Sequence, residues 1–288
     1  FLTKNQVGAI LRQVPDLQPH LPETLAATPT NVRSLLRRYP SVYVKHAGGT
    51  LGWGVVRVSR APAGSYRWEA AKGFRHTARL HLNGAESLTR RLRLTTRRGI
   101  WLAQQGLDLC RFGGRPADIR MLVQKDGRGE WQVTVGFAKV AGPGQVVTNI
   151  GAGGSLRRLD DLLRHAARHH GWDETPAELK QRLTEVAFEV ARALDRVIGP
   201  LAELGLDLAL DTKAQVWLIE ANGKYSRAVF SRPVRLLSIQ RVFAYSRHLY
   251  ELRPGRKSSK AASLSGLTRE GSASADDDGG DLLVASRL

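Results

Sequence analysis

The chain has 288 residues, of which 42% are apolar and 24% charged, with one cysteine and a formal net charge of +18. That balance supports a sizeable core and excludes a wholly disordered or collagen-like chain. No apolar run is long enough to span a bilayer, and the lone Cys110 rules out an intramolecular disulfide or a thiolate zinc cluster and fits a reducing, cytoplasmic setting. Residues 1–13 read as a short amphipathic helix with Val7, Ile10 and Leu11 on one side. The same stretch, FLTKNQVGAILRQ, lacks a basic start leading into an apolar run, so no signal peptide is read. Phe1 in place of Met leaves room for sequence upstream. Residues 14–30, rich in Pro and Thr, read as irregular, and Thr30 or Asn31 then caps a helix that Pro40 ends.

Strands are expected at 41–45 (SVYVK) and 55–59 (VVRVS), around the glycine-rich turn AGGTLGWG at 47–54. Two more fall within 65–82, then a helix over 84–94 and a strand over 100–104. Further strands are expected at 118–125, 131–140 and 145–149, with Asp126-Gly127 turning a hairpin between the first two. The longest helical pattern is 176–198, with Leu183, Val186, Val190, Leu194 and Val197 at helical spacing. Strands at 206–210 and 215–219 and a helix over 234–250 complete the pattern, with Trp217 read as core. The organisation is a lead-in at 1–40, read as the remnant of a longer N-terminal region, a small α+β unit at 41–105 and a larger one at 106–250. From 253 to 288 the composition turns to Ser, Gly and Ala, and no fold is expected there.

Three groups of residues carry chemistry. Lys45 stands before Gly48, Gly49, Gly52 and Gly54. Glycine admits close backbone approach, free amides can cradle phosphate oxygens, and the lysine adds a fixed charge for the same phosphates. The lysine precedes the glycines, so this is no P-loop, and the loop alone reads equally well as a flexible hairpin. Asp207, Glu220 and Asn222 are hard oxygen donors of the kind that suit Mg²⁺; the plainer reading is a turn acid and a strand-end cap. Asp118, Arg120, Lys139 and Asn149 are polar residues on or near strands, either solvent-facing alternates or a convergent phosphate site. His165 and His169 are four apart and on a helix would share a face that suits a metal, but the plainer reading is a solvated helix end or loop. The run Arg90, Arg91, Arg93, Arg97 and Arg98 reads as a solvated helix face, and Cys110 has no His partner for nucleophilic work.

In order, the chain carries YPSVYVKHAGGTLGWGVVRV, QQGLDL, DIRMLVQK, VVTNIGAGG, LDLALD and WLIEANGKYSR. This order resembles the ATP-grasp superfamily over roughly residues 30–232, and within it the YheC/YheD-like family, described as endospore coat-associated. A similar DIR, N-x-x-x-GG and E-x-N order occurs in glutamate ligases that modify ribosomal protein. The resemblance implies an α+β ATP-grasp fold of two subdomains with nucleotide between them. It implies that Lys45 and the loop Gly48–Gly54 hold ATP phosphate, and that Gln104, Gln105 and Leu107 lie along the adenine. It further implies one or two Mg²⁺ on Asp207, Glu220 and Asn222, with Arg120, Lys139 and Asn149 facing the phosphates. The chain departs from the pattern at His46 and Tyr225, where Pro is expected, and at Lys139, where the ribosomal-protein ligases carry Arg. The activity implied is carboxylate–amine ligation through an acyl phosphate, with acid and amine unspecified. The alternatives are a nucleotide-binding structural protein of the spore coat, and a basic module for nucleic acid or another polyanion, for which no standard motif is present.

Overall fold

The computed structural model describes residues 3–48, 54–72, 76–145, 147–148, 150, 153–223 and 225–252. The chain begins with helix α1 (Lys4–Leu11), capped by a reciprocal Thr3–Gln6 capping box, and a 3-10 turn at Pro15–His20. Strand β1 (Thr24–Ala26) and helix α2 (Pro29–Arg38) follow. The cap of α2 is Thr28, whose hydroxyl accepts from the Asn31 amide at 3.1 Å, with Pro29 opening the first turn.

Next come β2 (Ser41–His46), β3 (Val55–Arg60), β4 (Tyr66–Lys72), β5 (His76–Leu82), helix α3 (Gly84–Thr95) and β6 (Trp101–Gln105). These strands form one antiparallel sheet in the order β1-β6-β2-β3-β4-β5. Strand alternation sorts its two faces. Val42 and Val44 of β2, Val56 and Val58 of β3 and Trp68 of β4 join Leu35, Leu36, Leu88 and Leu92 of α2 and α3 in one core. Tyr43, Lys45 and Gln104 are left for the opposite face.

The second sheet is built from β7 (Arg111–Phe112), β8 (Arg115–Lys125), β9 (Trp131–Val140), β10 (Ser155–Arg158), β11 (Glu203–Leu210) and β12 (Val216–Asn222). Its order is β10-β9-β8-β11-β12, with β7 beside β8. Helices α4 (Leu159–His170) and α5 (Pro176–Ile198) cover one face, where Leu183, Val186, Val190 and Leu194 meet Ile119, Met121, Leu206 and Leu208. Val197, expected in that stripe, is exposed. Helix α6 (Arg232–Glu251) lies on the other face, over β8 and β9.

Four expectations change. Residues 145–149 form no strand among those described: Pro143-Gly144 turns the chain, with Gly144 at positive φ, and Thr148 ties itself to Asp118 instead of joining a ladder. β10 and β1 go unread in the sequence and pair with β9 and β6. The lead-in is no separate unit: Val7, Leu11 and Leu17 lie in the core of the large lobe, while β1 and α2 belong to the small one. Trp217 is half-buried outside the cores and donates to Asp211 at 2.9 Å.

Candidate functional site

The site begins with strand parity. On β11 the even-numbered leucines face the helical core, so Asp207 faces away from it. In the register Asp207 pairs with Glu220 and Gly205 with Asn222. A shift in the ladder between Asp207 and Leu208 places Ile219 as an extra residue on β12. Leu218 stays in the core, but Glu220, two positions on, turns to the opposite face beside Asp207. Arg120 of β8 pairs directly with Asp207, and Lys139 of β9 with Asp118.

These neighbours form a buried ionic network. Arg120 donates both Nε and Nη2 to the Asp207 carboxylate, at 2.8 and 3.0 Å. Lys139 Nζ lies 2.7 Å from Asp207 Oδ1 and 3.1 Å from Asp118 Oδ1. Thr148 donates to the other oxygen of Asp118. Burial alone would raise the Asp207 pKa, but Lys139 and Arg120 outweigh it and hold the carboxyl at about 2. Asp118 moves the other way, because burial outweighs the attraction of Lys139. Burial acts against the Lys139 and Arg120 charges too, and their carboxylate neighbours more than restore them.

A cleft opens at the edge of this face. Its lining comes from both sheets and from α1: Lys45, Leu102 and Gln104 of the small lobe, residues 218–221 of β12, and Lys4 with its neighbours. Lys45 Nζ donates to Gln104 Oε1 at 2.8 Å, and Gln104 Nε2 donates to Thr24 Oγ1 at 3.0 Å. Burial drives the Lys45 pKa down to about 8 despite the nearby Glu220. Lys4 Nζ lies 3.4 Å from Glu220 Oε2. Arg79 of β5 reaches across to the large lobe and donates to the Gly144 carbonyl at 2.6 Å.

The structure therefore brings Lys45 and Gln104 to one wall of the cleft and Glu220 to another, with Asp207, Arg120, Lys139 and Asn222 on the adjoining sheet face. Gly48 and Gly54, the latter at φ 71°, flank the loop; Gly49, Gly52 and Asn149 lie outside the described residues. Gln105 and Gly106 spend their backbone amides on Glu23 and Ser41, at 2.8 Å each. Of the segment Gln104–Leu107, those two amides are thus committed to the small lobe. Tyr225 packs over Gly205, where a Cβ would come within 3.1 Å of the ring, and donates to Glu203. Lys4 and Thr148 escaped the sequence reading. A signal for Lys4 existed: it stands in the first turn of α1, three and seven residues before the buried Val7 and Leu11, and so on the same face of the helix.

The donor set fits a hard divalent cation, offering two carboxylates and an amide oxygen on one sheet face. Both oxygens of Asp207 are already bonded to cations, which leaves Glu220 and Asn222 nearer to availability. Among the described residues no group of three or more His, Cys, Asp or Glu side chains forms a metal cluster. His165 instead accepts from the Gly113 amide at 3.3 Å and stacks on His169. Also among the described residues, no helix is long and apolar enough to cross a membrane.

Residues 1–249 match the family described as YheC/D-like ATP-grasp. The chain belongs to that family. It is 29% identical over 259 residues to the endospore coat-associated protein YheD of Bacillus subtilis (strain 168), covering 87% of this chain and 55% of that protein. It is 25% identical over 232 residues to the endospore coat-associated protein YheC of the same strain, covering 75% of this chain and 58% of that one. The chain thus spans a little over half the length of these curated relatives. A solved structure of the ATP-grasp ligase PsnB complexed with minimal precursor aligns at 15% identity and a TM-score of 0.44, over 79% of this chain and 54% of that one. By that family membership the α+β fold with its two sheets is an ATP-grasp fold.

Proposed function

We propose that the cleft binds ATP with Mg²⁺ and serves a carboxylate–amine ligase. The observation that carries this reading is the meeting of Lys45, on the small sheet, with Glu220, on the large one, in one cleft of an ATP-grasp chain. Lys45 supplies charge for the phosphates, Gly48–Gly54 close over them, and Gln104–Leu107 flank the adenine. Asp207, Glu220 and Asn222 would hold Mg²⁺, which when bound shields the phosphate oxygens during transfer. Arg120, Lys139 and Asn149 neutralise the phosphoryl group as it moves. In the proposed reaction a carboxylate oxygen attacks the γ-phosphorus and ADP leaves. A neutral amine then attacks the acyl carbon and gives up a proton to the leaving phosphate or to water, and phosphate leaves with formation of an amide.

The test is thermal unfolding with and without Mg-ATP, in wild type and in a Glu220→Ala, Asn222→Ala double variant. Ligand at about 100 times its dissociation constant adds roughly 2.7 kcal/mol. A rise in wild type that vanishes in the double variant supports the site; a rise kept in both, or absent from both, overturns it. A second reading, a nucleotide-binding structural protein with little turnover, draws on the saturation of Asp207 by Arg120 and Lys139. The spore-coat association in the relatives' names accords with it. ADP release on addition of carboxylate and amine mixtures separates the two.

A further inference from the structure

The wall of the cleft that α1 supplies has no part in the nucleotide reading. Lys4, Gly8 and Arg12 are four apart, so they follow one another along the rim of the face that buries Val7 and Leu11. All three line the cleft. Gly8 is the one glycine of α1 and sits inside the helix, where it costs stability relative to alanine. Arg12 runs back along the helix and covers it: a Cβ at position 8 would lie 3.2 Å from Arg12 Nη1. The guanidinium is thereby held over Gly8, one turn from Lys4 and about 6 Å from it along the axis. Among the described residues it meets no carboxylate. Counting Lys45, the lining holds three cations against one acid, Glu220, which already has Lys4 at 3.4 Å. Leu21, Leu102 and Leu218 make the same lining partly apolar.

We propose, resting on the ligase reading above, that α1 is the wall that holds the acid substrate and that this acid is a small dicarboxylate. The planar fork of Arg12 suits one carboxylate, gripped by two parallel hydrogen bonds. Lys4 takes the other and so holds it beside Glu220, next to the proposed cation. Cationic heads about one helix turn apart match carboxylates joined by two or three methylenes, and the leucines accept that spacer. A monocarboxylate satisfies one head and leaves the second without a counter-charge. Gly8 is the residue that permits this spacing, because any larger side chain there stands between the two heads. Without ligand Lys4 is spent on Glu220. A divalent cation on Glu220 releases Lys4 to the acid, so Mg²⁺ and the dicarboxylate strengthen each other's binding.

Thermal unfolding of the whole chain without nucleotide tests this, in succinate, glutarate, acetate and sulfate at one ionic strength set with NaCl. Each anion is titrated with and without Mg²⁺. Succinate or glutarate binds wild type at least about tenfold more tightly than acetate or sulfate does, and more tightly again with Mg²⁺. Arg12→Gln, changed at an exposed position, melts like wild type without ligand and loses the preference. Lys4→Met loses the effect of Mg²⁺ on the dicarboxylate. Gly8→Leu melts no lower than wild type without ligand, since leucine is the better helix former, yet its dicarboxylate response falls about tenfold or more. A purely structural role for Gly8 does not separate those two readings. An equal response to all four anions, which is screening of the +18 charge alone, overturns the proposal. So does the absence of any response, or a preference that survives both Arg12→Gln and Gly8→Leu. Wild type that responds to Mg-ATP but shows no dicarboxylate preference overturns this wall alone. Wild type with the preference and no response to Mg-ATP upholds the dicarboxylate site and overturns the ligase reading.

Discussion

Replacing Lys45 with Met should stabilise the free protein at neutral pH while removing its response to Mg-ATP. Folding lowers the Lys45 pKa from 10.5 to about 8, chiefly through burial. Keeping the ammonium charged in that setting costs the folded state on the order of 3 kcal/mol. Met retains the apolar stem and removes the charge. It also removes the hydrogen bond to Gln104, worth about 1 kcal/mol. The net expectation is a gain of about 2 kcal/mol at pH 7, read from urea unfolding. Between pH 8 and 10.5 the unfolded chain binds more protons than the folded one, so wild-type stability rises with pH through that window. The advantage of Lys45→Met therefore fades as pH climbs and reverses slightly near its top. A variant less stable than wild type at pH 7, or a difference independent of pH, refutes the reasoning. A variant that keeps the full Mg-ATP response removes Lys45 from the phosphate site.

Asp207→Asn leaves Arg120 and Lys139 in a buried setting with their shared counter-charge gone, and should cost about 3–5 kcal/mol in urea unfolding at pH 7. Because the Asp207 carboxyl is held at about 2 against an ordinary 3.8, its stabilisation is complete above pH 4 and is lost as pH falls through 2. The gap between Asp207→Asn and wild type should close over that interval by about 2 kcal/mol, as acid titration of stability would show. Gly106→Ala places a Cβ 2.1 Å from Ser41 Oγ and 2.6 Å from the Ser41 carbonyl, so β2 must shift. A loss of about 1–3 kcal/mol is expected in the urea midpoint, and a neutral result shows that β2 yields there.

The long elements were legible because their signal is periodic. Val42 and Val44 with Val56 and Val58 announce strands, and the leucines and valines of 183–194 announce α5. The short strands were not: TLA at 24–26 and SLRR at 155–158 hold too few alternations and are strands because neighbours pair with them. A strand was expected at 145–149, but a Pro-Gly turn precedes it and Thr148 bonds Asp118. Trp217 was assigned to the core by the wrong parity. The bulge at Ile219 matters more, because simple alternation from the buried Leu218 would have sent Glu220 into the core. The motif named Asp207 and Glu220, and only the register explains how they meet. Asp118, Arg120 and Lys139 could be named as convergent candidates, but their mutual saturation through Asp207 depends on strands far apart in sequence.

That saturation bears on how a nucleotide could enter. The large-lobe face sets Asp118, Asp207 and Glu220 against Arg120, Lys139 and Lys4, so charge is balanced within the protein. A polyphosphate drawing Arg120, Lys139 or Lys4 toward itself would strip Asp207 and Glu220 of partners, and an unpaired buried carboxylate is expensive. A divalent cation arriving with the nucleotide supplies the missing counter-charge at the same oxygens. On the proposed function, then, ATP with chelator should stabilise the fold far less than Mg-ATP at equal concentration. The deficit should shrink in Glu220→Gln, which has no charge to strand. Thermal unfolding with EDTA or excess Mg²⁺ measures both quantities. An equal response to ATP with and without Mg²⁺ in wild type would mean that the phosphates bypass this network and rest on Lys45 and the loop alone.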